Sequence, residues 1–249
     1  MKFIVNILII NSFIFSQTNF EKGMMFYNAR SEGANGIIAV GSKIDSAAYF
    51  FRKDNNDQLS SLMLLKSLYF KGEFVIQDLE IKKNIFEEAK ILGKELIDKY
   101  PDDPKIRYWY IVNLGSWGQN YGVLAAAREG VADQIKAHSE KIIELDPSCE
   151  NGGGYFMLGV VNFRAPYIPF FLTWPDKKNA LKLLEKAYNV GTPTPVQMKF
   201  LSKALIYDGQ SQKAKLLLTK LSNLIPDPKL LIEQKKEIFE SRELLKRIN

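Results

Sequence analysis

The stretch from Pro195 to Pro226, PVQMKFLSKALIYDGQSQKAKLLLTKLSNLIP, decides the fold. Met198, Leu201, Ser202 and Leu205 recur at three- and four-residue spacing in its first half, and Ala214, Leu218 and Leu221 do so in its second. Such spacing stacks side chains on one face of a helix, so each half is an amphipathic helix. Pro226 closes the pair, because a residue without an N–H and with a ring against the preceding turn cannot continue a helix. The unit is a helical hairpin.

The same reading extends outward. Segments Asp57–Phe70, Ile81–Tyr100, Pro104–Gly118, Val131–Leu145, Gly154–Arg164, Asp176–Val190, Pro195–Tyr207 and Gln210–Ile225 all carry helical periodicity, and strand signals are few. Proline recurs at the stops, in Tyr100-Pro101-Asp102-Asp103-Pro104, in Leu145-Asp146-Pro147 and in Ile225-Pro226-Asp227-Pro228. It ends one helix and suits the first turn of the next. Paired helices of this kind match the tetratricopeptide unit, about 34 residues with a large residue, Leu, Gly and an aromatic on the first helix and Ala, an apolar residue and Pro on the second. Tyr155, Leu158 and Gly159 with Ala180, Leu184 and Ala187 form a second unit, and Ile111, Leu114 and Gly115 with Ile135, Ile142 and Pro147 a third. Leu62, Leu65 and Tyr69 with Ala89, Leu96 and Pro101 form a fourth, and Ala47 and Phe51 after a helix at Ala29–Gly33 read as a degenerate first pair. The expected fold is all-α, a tetratricopeptide-like solenoid in one domain from residue 17 to 249.

The departures from the repeat point to a site. About 12 residues ordinarily separate the first-helix Gly from the second-helix Ala, but Gly115 to Ile135 is 20 and Gly159 to Ala180 is 21. Tyr69 to Ala89 is 20 where about nine is usual. Three hairpins are thus enlarged at one structural position, and insertions at equivalent points of a solenoid emerge on one edge. Their content is apolar: Phe74-Val75-Ile76, Tyr121 to Ala127, and Tyr167 to Trp174. Such segments either fold back into the core or line a binding surface.

Composition limits the function classes. The 249 residues are 46% hydrophobic and 25% charged, enough for a core and a solvated surface. The net charge of +6 alternates along the helices and forms no basic block, so nucleic acid is not an expected partner. His138 is the only histidine and Cys149 the only cysteine, so a disulfide, a zinc site or a Cys–His pair has nothing to draw on, and neither catalysis nor a cofactor is expected. His138 reads as a surface or half-buried helical position. Gly152-Gly153-Gly154 lacks the Lys-Ser/Thr continuation of a phosphate loop and reads as a turn and close-packing point. Tyr108, Trp109 and Tyr110 read as core. At the N-terminus, Met1-Lys2 and the apolar run Phe3–Phe15 read as a secretory signal peptide over residues 1–16, shorter than a membrane span. The mature chain is expected to begin near Gln17, soluble in the periplasm or secreted.

The order Arg107 to Trp117, Ile142 to Pro147, Gly152 to Tyr155, Leu158-Gly159, Ala165-Pro166 and Trp174 to Lys177 resembles the T component of TRAP transporters. That resemblance implies an exported helical-repeat protein that associates with a periplasmic solute-binding protein, forms rings of three subunits and holds a hydrophobic ligand. Members of that family are typically lipoproteins, and this chain has no cysteine near the leader's end to carry the lipid. The alternative is a general envelope scaffold that grips a protein segment in the concave groove of the solenoid. In either case the candidate binding residues are Trp117, Tyr121, Arg128, Arg164, Tyr167, Phe170 and Trp174, the arginines orienting a carboxylate and the rings taking an apolar body.

Overall fold

A computed structural model describes residues 17–54, 56–170 and 172–248; the expected leader lies outside the described residues. The chain forms α1 (Asn19–Asn28), α2 (Gly41–Lys53), α3 (Gln58–Phe70), α4 (Leu79–Lys99), α5 (Pro104–Tyr121), α6 (Val123–Arg128), α7 (Val131–Leu145), α8 (Cys149–Arg164), α9 (Lys177–Val190), α10 (Pro195–Tyr207), α11 (Ser211–Ser222) and α12 (Leu231–Ile248). Side chains that the sequence places before the apolar runs start these helices. Asp57, Asp78, Asp103 and Asp176 accept from first-turn N–H groups, and Thr18–Glu21 and Thr194–Gln197 form reciprocal capping boxes.

Hairpins α1–α2, α3–α4, α5–α7, α8–α9 and α10–α11 stack in order, and the second helix of each also packs against the first helix of the next. First helices of successive hairpins touch one another, α1 to α3, α3 to α5, α5 to α8 and α8 to α10, whereas among the described residues successive second helices approach less closely, α2 and α4 meeting through the Arg52–Glu88 ion pair. A curved stack brings its elements closer on the inside, so the first helices form the inner layer. The cores of the hairpins merge: one cluster runs from Phe86 and Tyr110 through Ile135, Met157 and Leu184 to Leu205 and Ala214. The consensus glycine of α8 is a packing requirement, because a Cβ on Gly159 would lie 2.8 Å from Leu184 Cγ. Among the described residues, no helix is long and apolar enough to cross a membrane.

Four readings are changed or sharpened. The first pair begins with α1 at Asn19, and Ala29–Gly33 is the turn that follows; the Thr18 capping box starts the helix earlier than the Ala-rich text suggests. Phe74 is buried against Phe70 and Tyr69, because the first insertion continues α3 as a wide π turn over Lys71–Val75. The helix expected from Gly154 is present, and the turn before it, from Cys149, is set off by a kink at left-handed Glu150, Asn151 and Gly152. That break lets Gly153 and Gly154 pass close to Tyr108 and Ile143, where Cβ atoms would sit at 2.6 and 2.8 Å. Finally, α12 is a helix that the apolar spacing of the sequence does not announce.

Candidate functional site

Of the seven residues expected on the enlarged edge, four are engaged between helices. Trp117, at the end of α5, donates its indole N–H to Glu87 Oε2 of α4 at 2.5 Å and stacks on Tyr121 with ring centroids 4.4 Å apart. The Lys90 ammonium sits 4.1 Å from the Trp117 ring and 3.0 Å from Glu87. Burial works to raise the Glu87 carboxyl, but the hydrogen bonds of Trp117, Lys90 and Tyr121 together hold it below its ordinary value. Trp117 and Tyr121 therefore tie α4 to α5. Trp174 ties the third insertion to α7, its N–H 2.7 Å from Asp133 Oδ1 and its ring 4.9 Å from Lys136. Arg164 donates to the Gln119 amide oxygen at 3.1 Å, and among the described residues it pairs with no carboxylate.

The other three face outward. Arg128 ends the short helix α6 and is exposed, as are Val123 and Leu124 beside it, at 62% and 77%. The third insertion turns back on itself: Ile168 and Leu172 exchange both backbone hydrogen bonds at 2.8 Å, and Leu172 is buried. Tyr167 and Phe170 project from this turn, 63% and 99% exposed, and Phe170 has a φ of 67°. Two surface depressions, of about 560 and 570 Å3, lie elsewhere, along Gln58–Leu62 and Tyr100–Lys105 and along the Glu87–Asp98 face of α4. Neither is lined by any of the seven.

His138 is half-buried against Tyr110, with Arg107 Nη1 2.8 Å from its Nδ1. Burial, then the Arg107 charge, lowers it to about 4, so it is neutral at ordinary pH. Cys149 is buried and its thiol is pushed up to about 12 by burial and by Glu150 and Asp146.

The inner layer carries a second constellation that the sequence reading missed. A largely exposed segment, Asn223–Leu230, with Leu224 packed against Met198 and Leu221, leads from the last hairpin to the first, and α12 returns from there to the last. At its start Ile232 is fully buried in the core of the first two hairpins. The carboxylate of Glu233 meets Arg30, which is 2% exposed, with Oε1 2.5 Å from Nη2 and 2.9 Å from Nε. Arg30 also donates to the backbone oxygens of Lys229 at 2.6 Å and Tyr27 at 3.0 Å. One turn on, Lys236 pairs with Glu73. Beyond it, Glu237 and Glu240 flank Lys199 of α10 at 2.6 and 2.8 Å, and Ile238 packs with Met198 and Leu221. Burial would lower the Lys199 ammonium, but these two carboxylates hold it above its ordinary value. The phenols of Tyr27 and Tyr69 are raised, Tyr27 to about 12, by burial and by acidic neighbours that include Glu233. The signal was present in the text: Glu233, Glu237 and Glu240 fall at i, i+4 and i+7, one face of a helix.

The sequence matches no protein-family model and no curated protein. A solved structure is similar: a thermophilic tetratricopeptide-repeat protein of Thermus thermophilus, 14% identical, with a TM-score of 0.59 over 92% of this chain and 96% of that one. At that identity the likeness speaks to the fold, and with the hairpin stack described above it makes this chain an all-α, tetratricopeptide-like solenoid.

Proposed function

We propose that the chain is a non-catalytic protein-binding scaffold that takes a protein partner on its enlarged edge. Phe170 carries this reading. A left-handed φ costs a bulky residue on the order of 1–3 kcal/mol, and the side chain so placed is 99% exposed, with no burial to offset that cost in the lone chain. Strain of this kind clusters where a chain meets its ligand. Tyr167, Val123 and Leu124 add exposed apolar area on the same edge, and aromatic side chains of this sort anchor interfaces when a partner desolvates them. Solenoids present long surfaces suited to such contacts.

The test is a photo-crosslinking amino acid placed at position 170 or 124, and, as controls, at Tyr49 or Leu216, which are exposed on other helices. In the native host, a discrete protein adduct is expected at the edge and none at the controls. Equal labelling at all four positions, or none at 170 and 124, defeats the reading.

A finer reading makes the partner a periplasmic solute-binding protein and the chain an accessory T component of a TRAP-type uptake system. The order of segments from Arg107 to Lys177 supports it. In that reading Trp117, Tyr121, Tyr167, Phe170 and Trp174 also border a hydrophobic solute, Arg128 and Arg164 face its carboxylate, and three copies close a ring. Purified receptor should bind the wild-type chain and lose at least tenfold in affinity with Tyr167→Ala plus Phe170→Ala. Unchanged binding would remove the receptor from the edge.

A further inference from the structure

The inner surface of a helical-hairpin stack is its largest concave face, and here α12 already lies on it. The contact has an unusual make-up. The far half of α12 packs on α11 and α10, with Ile238 against Leu221 and Met198 and Arg242 donating to the Ser222 backbone oxygen at 3.0 Å, and Ile232 anchors its start. Across the inner surface the remaining contacts are charge: Arg30–Glu233, Glu73–Lys236 and Lys199 between Glu237 and Glu240. Arg30 and Lys199 belong to the hairpins, not to α12, and they are 2% and 5% exposed. These exposures hold with α12 in place, and a helix that covers the two cations must bring carboxylates to them. Buried ion pairs, in turn, hold a helix less firmly than apolar packing of the same size, because desolvation offsets their attraction. Glu233 Oε2 is itself buried without a hydrogen-bond partner, which weakens the fit further. The leash fits release as well: Asn223, Ile225 and Asp227–Leu230 are exposed, Ile225 to 90%, and only a single 3-10 turn at Pro228–Leu230, entered from extended Asp227, gives it regular structure.

We infer that α12 is a displaceable occupant, and that the surface beneath it is a docking site for a partner's amphipathic helix bearing carboxylates at i, i+4 and i+7 with aliphatic residues between them. Arg30 takes the first carboxylate and Lys199 the other two, while the positions of Ile232 and Ile238 receive the aliphatic anchors. The partner binds only as α12 leaves, so its apparent affinity is its intrinsic affinity multiplied by the small fraction of chains with α12 released. This site is separate from the edge around Phe170, and either can fail without the other.

The experiment uses the full chain and, as probe, a synthetic peptide with the sequence of residues 229–248. Hydrogen exchange is followed with and without saturating peptide. Amides of α12 should exchange at least tenfold faster with the peptide present, while those of α4, α5 and α7 stay unchanged. A peptide with Gln at the three Glu positions should have no such effect. A chain carrying Glu233→Gln and Glu237→Gln should bind the native peptide at least tenfold more tightly than wild type. If that variant does not fold, the wild-type exchange result decides alone. Unaltered exchange in α12 under saturating peptide overturns the inference. So does equal action by the Gln peptide, since the cations would then not be reading carboxylates, and so does a loosened chain that pairs with a second copy while ignoring the peptide.

Discussion

At the scale of single residues, His138 shows how a position unremarkable in the text becomes a stability determinant. Its ring lies edge-on to Tyr110 with centroids 5.1 Å apart, and the Arg107 guanidinium holds its Nδ1 from the other side. Both surroundings disfavour a second positive charge, so the folded chain binds a proton only near pH 4, against an ordinary value of 6.5. The unfolded chain takes up that proton from about pH 6.5 downward. Stability owed to this residue is therefore complete above pH 6.5 and is lost as the pH falls to about 4. Partial exposure screens the effect, leaving on the order of 1 kcal/mol. Melting curves at pH 7 and pH 4.5 should show a smaller acid-induced drop for His138→Gln than for wild type. Equal drops would mean that the imidazole is charged in the folded chain.

At the scale of elements, most of the helices were legible because their apolar spacing and caps agree. Val131–Leu145 and Pro195–Tyr207 coincide with the helices of the structure, and proline marks the turns that follow α4, α7 and α11. What escaped the reading were elements whose shape depends on a partner element. The first insertion coils as a π turn because Phe74 finds a pocket beside Phe70, and nothing local announces that pocket. The text of α12 is dominated by charged residues, and its buried face, Ile232, Ile238 and Ser241, is too thin to stand out without the inner surface beneath it. Of the expected edge, the insertions were legible by counting, but which rings would face water was not. Trp117 and Trp174 found carboxylates on neighbouring helices, and Tyr167 and Phe170 did not.

The two consensus glycines also part company at this scale, and the difference can be tested. Gly159 faces Leu184 so closely that a Cβ would lie 2.8 Å from Cγ and 3.2 Å from its backbone N. At Gly115 the nearest atom is Ile135 Cδ1 at 3.7 Å, an ordinary contact. Gly159→Ala should therefore destabilise by about 1–3 kcal/mol through overpacking, while Gly115→Ala should gain up to about 1 kcal/mol from helix propensity. Urea titrations of the two variants measure both signs. Equal shifts would show that the hairpins breathe enough to make the repeat pattern a matter of habit and not of packing.

At the scale of the whole molecule, the important fact is closure. An open solenoid is held by contacts between neighbours, so damage at one end stays there. Here α12 and its leash join the last hairpin to the first, through Arg30–Glu233 and Ile232 at one end and Lys199 and Ile238 at the other. Removing Arg30 strands Glu233, a carboxylate that already has one buried unpartnered oxygen, and costs up to about 3 kcal/mol. That cost falls on α12 as much as on α1. Loss of α12 in turn removes both carboxylates that pair with Lys199 of α10, together with the helix that buries it. Arg30→Met should thus lower protection against hydrogen exchange in α10 and α11, far along the chain from the change, more than in the middle hairpins α5–α7 and α8–α9. Those hairpins share a core with α10 and α11 but, among the described residues, form no ion pair with α12. Loss confined to α1 and α2 would show an open stack. Uniform loss everywhere would show a chain that unfolds as one unit, with no separate role for the helix that crosses it.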